Sequence, residues 1–138
     1  MDTTVEQTTT APGKAALITG WVITGLVIAF LLFDSTIHIL NIEMVQTATA
    51  DLGFPPWTAP VMGWLLLVGI VLHLVPRTAL LGAIWLSAYL GGALAAQLRL
   101  EAPLFSTLLF SVYVGGLLWL GFYIRDAGVR RILPLRQD

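Results

Sequence analysis

Asp34 and His38 lie one helical turn apart on nearly the same face of an apolar run. Counted from Ala15, where that run begins, Asp34 is about 28 Å along a helix rising roughly 1.5 Å per residue. A carboxylate and an imidazole at this spacing can share a proton, orient the ring for acid–base work, or begin a metal site that other ligands complete. A second polar group, Gln97, Arg99 and Glu101, closes a later apolar run. If the two runs end on the same side, all five residues share one depth. Asp34, His38 and Glu101 are then the candidate acid–base groups, with Gln97 and Arg99 as candidate ligand-binding groups. The structural alternative pairs Asp34 with Arg99 and leaves His38 in the headgroup zone. No metal site is expected, because His73, the other histidine, is placed about a bilayer thickness (roughly 30 Å) from His38. His73 is expected near Arg77 at the inner rim, where snorkelling or a hydrogen bond to a helix-end carbonyl would satisfy it.

The elements that must carry these residues are four nearly charge-free stretches, Ala15 to Phe33, Ala59 to Val75, Thr78 to Leu98 and Phe105 to Ile124. Each approaches the roughly 20 residues that a helix needs to cross a hydrocarbon core about 30 Å thick. Inside lipid every peptide group must be satisfied within the protein, which leaves helices or closed barrels. The runs are continuous rather than alternating, so they are expected to be helices. The expected fold is all-α, a transmembrane four-helix bundle with spans at about 15–38, 59–75, 78–98 and 105–124. Between the first two spans, Ile42, Val45, Thr49 and Leu52 recur at helical spacing and predict a short interfacial helix. Gly53 stops it and Pro55-Pro56 forbids continuation, while Trp57 suits the headgroup level and joins the ligand-binding candidates. Pro76-Arg77-Thr78 leaves a tight turn, making the second and third spans antiparallel neighbours.

The composition fits this organisation: 57% of the 138 residues are hydrophobic and 11% charged, with a mean hydropathy of +0.87. The expected division is a disordered cytoplasmic tail over 1–14, one membrane domain over 15–126 and a basic cytoplasmic tail over 127–138. Lys14, Arg77, Arg125, Arg130, Arg131 and Arg136 fall on one side and Arg99 on the other, so the positive-inside rule puts both termini in the cytoplasm of a plasma-membrane protein. The segment before Ala15 carries Asp2 and Glu6 without a basic residue ahead of Lys14, unlike a cleaved signal peptide. With no cysteine, thiolate catalysis, disulfide exchange and cysteine-held metal clusters are excluded from this chain. A net charge of −1 gives no footprint for nucleic acid. The expected partners are the lipid bilayer, a second copy of the chain, or a soluble or membrane redox protein.

Helix association in lipid depends on close backbone approach and a few polar contacts. Ser87, Gly91 and Ala95 form one stripe of small residues on the third span, with Ala88, Gly92 and Ala96 beside it. Ser111, Gly115, Gly116 and Gly121 answer them on the fourth, and these two spans are expected to form the tight centre. Tyr89 and Tyr113 sit near mid-span and need partners such as Ser87 or Ser111. Alternatively they line an apolar cavity for a flat lipophilic ligand such as a quinone, the one cofactor class the residues suggest.

The pattern resembles the DoxX-like family of small four-helix membrane proteins across nearly all of the chain after Lys14. The matching stretches are Leu32-Phe33-Asp34, Leu52-Gly53-Phe54-Pro55, Val75 through Ala83, Tyr89-Leu90-Gly91-Gly92-Ala93, Pro103-Leu104-Phe105, and Leu118-Trp119 with Tyr123 through Asp126. It departs where relatives carry Lys in place of His38 and His in place of Gln97, so a polar group is kept at the rim while its identity moves. The resemblance implies a membrane subunit or partner-docking protein of a redox or quinone-linked system. Two further readings are a small intramembrane enzyme acting on a lipophilic substrate through Asp34, His38 and Glu101, and an assembly chaperone or multimeric small-solute transporter. A transporter is disfavoured, since no polar stripe runs the length of the spans.

Overall fold

The computed structural model describes residues 11–133. It is all-helical among those residues: α1 (Lys14–Ile39), α2 (Glu43–Asp51), α3 (Thr58–Leu74), α4 (Ala79–Arg99), α5 (Phe110–Arg125) and α6 (Ala127–Ile132). A π-helical turn, Leu104–Leu108, leads into α5. Three helical segments are long and apolar enough to cross a membrane: Lys14–Ile39, Ala79–Arg99 and Leu104–Arg125. The fourth apolar helix, α3, has 17 residues. The expected disordered tail lies mostly outside the described residues, and its last residue, Lys14, opens α1.

The long helices pack in a ring in chain order, α1 on α3, α3 on α4, α4 on α5, and α5 back on α1. Val27, Ile28 and Leu31 of α1 meet Leu66 and Ile70 of α3, Leu86 and Leu90 of α4, and Val114 and Leu118 of α5 in the central core. A second cluster at the end where α4 begins and α5 ends joins Ala79, Ala83, Phe122 and Val129. Many large apolar side chains point outward, among them Leu26, Phe33, Trp64 and Phe105. An outer surface of this kind suits a helix bundle whose solvent is lipid.

Each interface of the ring carries a polar tie. Ser35 Oγ donates to the Gly63 carbonyl oxygen across α1 and α3 at 2.8 Å, and Trp85 Nε1 donates to the Leu65 carbonyl oxygen across α4 and α3 at 2.8 Å. Trp119 Nε1 donates to Ser87 Oγ across α5 and α4 at 2.7 Å, while Arg125 Nε donates to Thr24 Oγ1 across α5 and α1 at 3.1 Å. Such bonds contribute on the order of 0.6 kcal/mol each inside membrane bundles.

The expectation of a tight centre between α4 and α5 is corrected. A Cβ added at Gly91, Gly92 or Gly116 would meet nothing within 4 Å, and one at Gly115 would only touch Leu90 Cδ1 at 3.6 Å. Close approach occurs at the other interfaces. A Cβ at Gly63 would lie 2.8 Å from the Ile39 backbone nitrogen and the Ser35 carbonyl oxygen, and one at Gly20 would lie 2.7 Å from Arg125 Cβ. Gly121 packs against Thr24, and Gly82 packs directly on the backbone of Leu72 and His73. Phe30 of α1 and Phe110 of α5 meet edge to face, with ring centroids 5.3 Å apart, beside the open space that Gly92 of α4 borders.

The connection after α1 forms the expected short helix, α2, with Val45 and Thr49 as its buried face. Gly53 follows it at φ +77°, a left-handed conformation that glycine adopts without cost. The basic segment 127–138 is not wholly a tail, since its first residues form α6. Asp126 caps that helix by accepting the Val129 N–H at 3.1 Å, and Val129 is buried. Arg136 lies outside the described residues.

Candidate functional site

At the end of the bundle where α1 ends and α5 begins the core gives way to a cavity of about 480 Å³. Its walls are mainly apolar and aromatic, from Phe30 and Leu31 of α1, Phe54 after α2, Met62 and Leu65 of α3, and Phe110 at the start of α5. The α4 wall presents Ala88, Gly92, Ala93 and Ala96. One stripe of small residues read from the sequence as a helix contact therefore makes room instead. Part of the other, Ser87 and Gly91, borders a shallower groove facing Gly115 and Gly116.

Asp34, His38, Tyr89, Gln97 and Ser111 supply the polar surface of the cavity. The fold thus brings together four of the sequence candidates, Asp34, His38, Gln97 and Tyr89. Asp34, His38 and Phe30 share a wall because positions 30, 34 and 38 are successive turns of one face of α1. His38 Nδ1 donates to the Asp34 carbonyl oxygen at 2.8 Å and lies 3.5 Å from Asp34 Oδ1. A carbonyl oxygen only accepts, so Nδ1 carries a hydrogen and Nε2 is the ring nitrogen left without a protein partner. No Lys or Arg lines the cavity. The pair can hold and pass a proton, and it can accept hydrogen bonds from a bound molecule.

Four candidates fall elsewhere. Arg99 is exposed and its Nη2 donates to the Leu52 carbonyl oxygen at 2.6 Å, closing the α2 loop rather than pairing with Asp34. Glu101 is exposed in the turn after α4 with φ 53°. Tyr113 points outward from α5, 48% exposed, and Trp57 is 69% exposed at the start of α3. Tyr89 makes no hydrogen bond to Ser87, whose hydroxyl donates to the Ala83 carbonyl oxygen and accepts from Trp119. Among the described residues no group of three or more His, Asp or Glu could hold a metal ion.

A second polar cluster lies at the opposite end of the bundle. His73 is 1% exposed; its Nδ1 donates to the Ala79 carbonyl oxygen at 2.9 Å, and its Nε2 accepts from Arg125 Nη2 at 3.1 Å. With Nδ1 donating and Nε2 accepting, the ring is the neutral tautomer. The guanidinium stacks 4.2 Å from the centre of the Trp21 ring and 4.9 Å from that of Phe122. The carbonyl that His73 meets belongs to the first residue of α4 rather than to a helix C-terminus, and its charged neighbour is Arg125 rather than Arg77. Arg125, Thr24 and Trp21 were not legible as a group, since 101 residues separate Thr24 from Arg125. This cluster ties α1, α3, α4 and α5 together where the core ends.

The sequence profile of the DoxX-like family matches residues 22–121. No curated protein and no solved structure matches the chain. The matched stretch runs from α1 into α5 and includes every residue lining the cavity. With well over half of its 138 residues inside that match, the chain belongs to the DoxX-like family.

Proposed function

We propose that the protein is a membrane subunit of a redox- or quinone-linked system, holding a lipid-soluble molecule at the end of the bundle that carries Asp34 and docking a partner protein. The observation that carries this reading is the cavity of about 480 Å³. Its size falls in the range of small-molecule sites, roughly 300–1,000 Å³, and it combines apolar walls with a few polar groups, as such sites do. The flat ring of a quinone or of its reduced, hydroxyl-bearing form has the size and shape this cavity admits. Phe30, Phe54 and Phe110 would flank a flat ring, and Asp34, His38, Tyr89 and Gln97 would face its oxygens. A bound quinone couple would supply the electron-transfer chemistry that a chain without cysteine cannot draw from thiols of its own.

In this reading α3 crosses the plasma membrane as a fourth span. Its 17 residues are at the short end of the roughly 17–25 that suffice. Both termini are cytoplasmic, on the strength of Lys14, Arg77, Arg125, Arg130 and Arg131. The cavity then opens toward the outer leaflet, within reach of lipid-soluble carriers. Affinity purification from native membranes, followed by mass spectrometry of both protein and extracted lipophiles, tests the proposal. A partner protein and a retained lipophile are expected; a chain recovered alone and free of lipophile would overturn it.

The contact between His38 and Asp34 at 3.5 Å favours a second reading, a small intramembrane enzyme using that pair for proton transfer on a lipophilic substrate. Glu101 drops out of this version, because it does not line the cavity. If Asp34→Asn leaves turnover of the substrate unchanged in the purified protein, the enzyme reading fails.

A further inference from the structure

We propose that the cavity selects lipophiles whose aromatic head group donates hydrogen bonds, a hydroxyl-bearing ring such as a hydroquinone, over those whose head group only accepts them. The inference rests on reading the cavity as a lipophile site and concerns which chemical form that site prefers. Asp34 when ionised offers only acceptor lone pairs, and its one ionic neighbour is His38. His38 spends its Nδ1 hydrogen on the Asp34 carbonyl oxygen, so in the neutral ring Nε2 is a second acceptor. Gln97, Tyr89 and Ser111 can each donate or accept. No Lys, Arg or Trp lines the cavity, so with Asp34 ionised and His38 neutral the wall has two acceptor-only groups and no donor-only group.

A ring carrying carbonyl oxygens would set its lone pairs against the Asp34 carboxylate and, by displacing water from the half-buried pair, leave both acceptors unpaired. A ring carrying hydroxyls satisfies Asp34 directly, with His38 Nε2 as a second acceptor. The aromatic walls favour a flat ring over an aliphatic alcohol, because offset and edge-to-face contacts add to simple burial. Phe30 and Phe110 already make such a contact with each other at the cavity wall.

The test is calorimetric titration of the full chain in lipid nanodiscs, without oxygen, against three probes of one shape: a decyl-substituted hydroquinone, the matching quinone, and the hydroquinone dimethyl ether. Empty nanodiscs provide the blank. The hydroquinone is expected to bind at least about tenfold more tightly than the other two, as expected when half-buried acceptors, covered by the ligand, gain partners. Asp34→Asn, which turns an acceptor-only group into one that also donates, is expected to bring that preference below about threefold. Equal or tighter binding of the quinone or the ether by the unmodified chain overturns the inference and leaves the lipophile site standing. Failure of all three probes to bind overturns both. An undiminished preference in Asp34→Asn removes Asp34 from the role, and if that variant does not fold, the comparison in the unmodified chain still decides.

Discussion

Replacing single glycines by alanine separates the packing seen in the structure from the packing that small-residue motifs suggest. At Gly63 the added methyl would lie 2.8 Å from two backbone atoms of α1, the Ile39 nitrogen and the Ser35 oxygen. Backbone cannot rotate away, so α1 and α3 must move apart, stretching the bond from Ser35 Oγ to the Gly63 carbonyl oxygen. Overpacking of this kind costs about 1–3 kcal/mol, and the weakened bond adds roughly 0.6 kcal/mol. Gly82→Ala meets the backbone of Leu72 and His73 still more closely and is expected to cost at least as much. Gly91→Ala and Gly116→Ala meet nothing within 4 Å. They are expected to be neutral or slightly stabilising, since alanine loses less backbone freedom than glycine by about 0.5–1 kcal/mol. Equilibrium unfolding in mixed micelles, followed by far-ultraviolet circular dichroism, ranks the four variants. If Gly91→Ala or Gly116→Ala proves more damaging than Gly63→Ala, the tight interface lies between α4 and α5 and the ring of contacts described above is wrong.

Arg125→Leu removes the donors to Thr24 and His73 and is expected to destabilise by about 1–3 kcal/mol in the same unfolding assay, because bonds to charged groups are the stronger ones. A double-mutant cycle of Trp119→Phe with Ser87→Ala should show a coupling of roughly 0.6 kcal/mol; zero coupling would mean that their 2.7 Å bond contributes nothing. Gly53→Ala puts a side chain on a residue at φ +77°, 2.6 Å from Arg99 Nη2, and should cost about 1 kcal/mol or more. Protease sensitivity at the α2 loop should rise with it. Because the chain has no cysteine, single cysteines can be introduced directly. Thr47→Cys and Arg77→Cys are expected to react with an impermeant maleimide from opposite faces of the membrane, and labelling from one face would contradict the topology.

The apolar spans, the short helix between the first two and the stop at Gly53 were legible in the sequence because each rests on local physics: hydrophobic length, 3.6-residue periodicity and a turn that needs glycine. The shared wall of Asp34 and His38 was legible for the same reason, as a helical repeat. The neighbours across helices were not. Arg99 was a plausible partner for Asp34 by depth, yet it faces the Leu52 carbonyl oxygen, and depth alone does not fix rotation about a helix axis. The glycines of α4 and α5 look alike in sequence whether they admit a neighbouring helix or leave a void. Which occurs depends on how far apart and how rotated the two helices are, and residue spacing along one helix sets neither. Tyr113 and Tyr89 looked equivalent, but only Tyr89 faces the cavity.

The central claim is that a lipid-soluble molecule occupies the space between α4 and the face of α1 carrying Asp34. Ala93 lines that space, and Ala93→Phe would fill part of it with an apolar side chain. Mass spectrometry of lipophiles retained through purification should find the molecule with the unmodified chain and largely missing from a folded Ala93→Phe variant. Equal retention by both would place the ligand outside the cavity and contradict the claim.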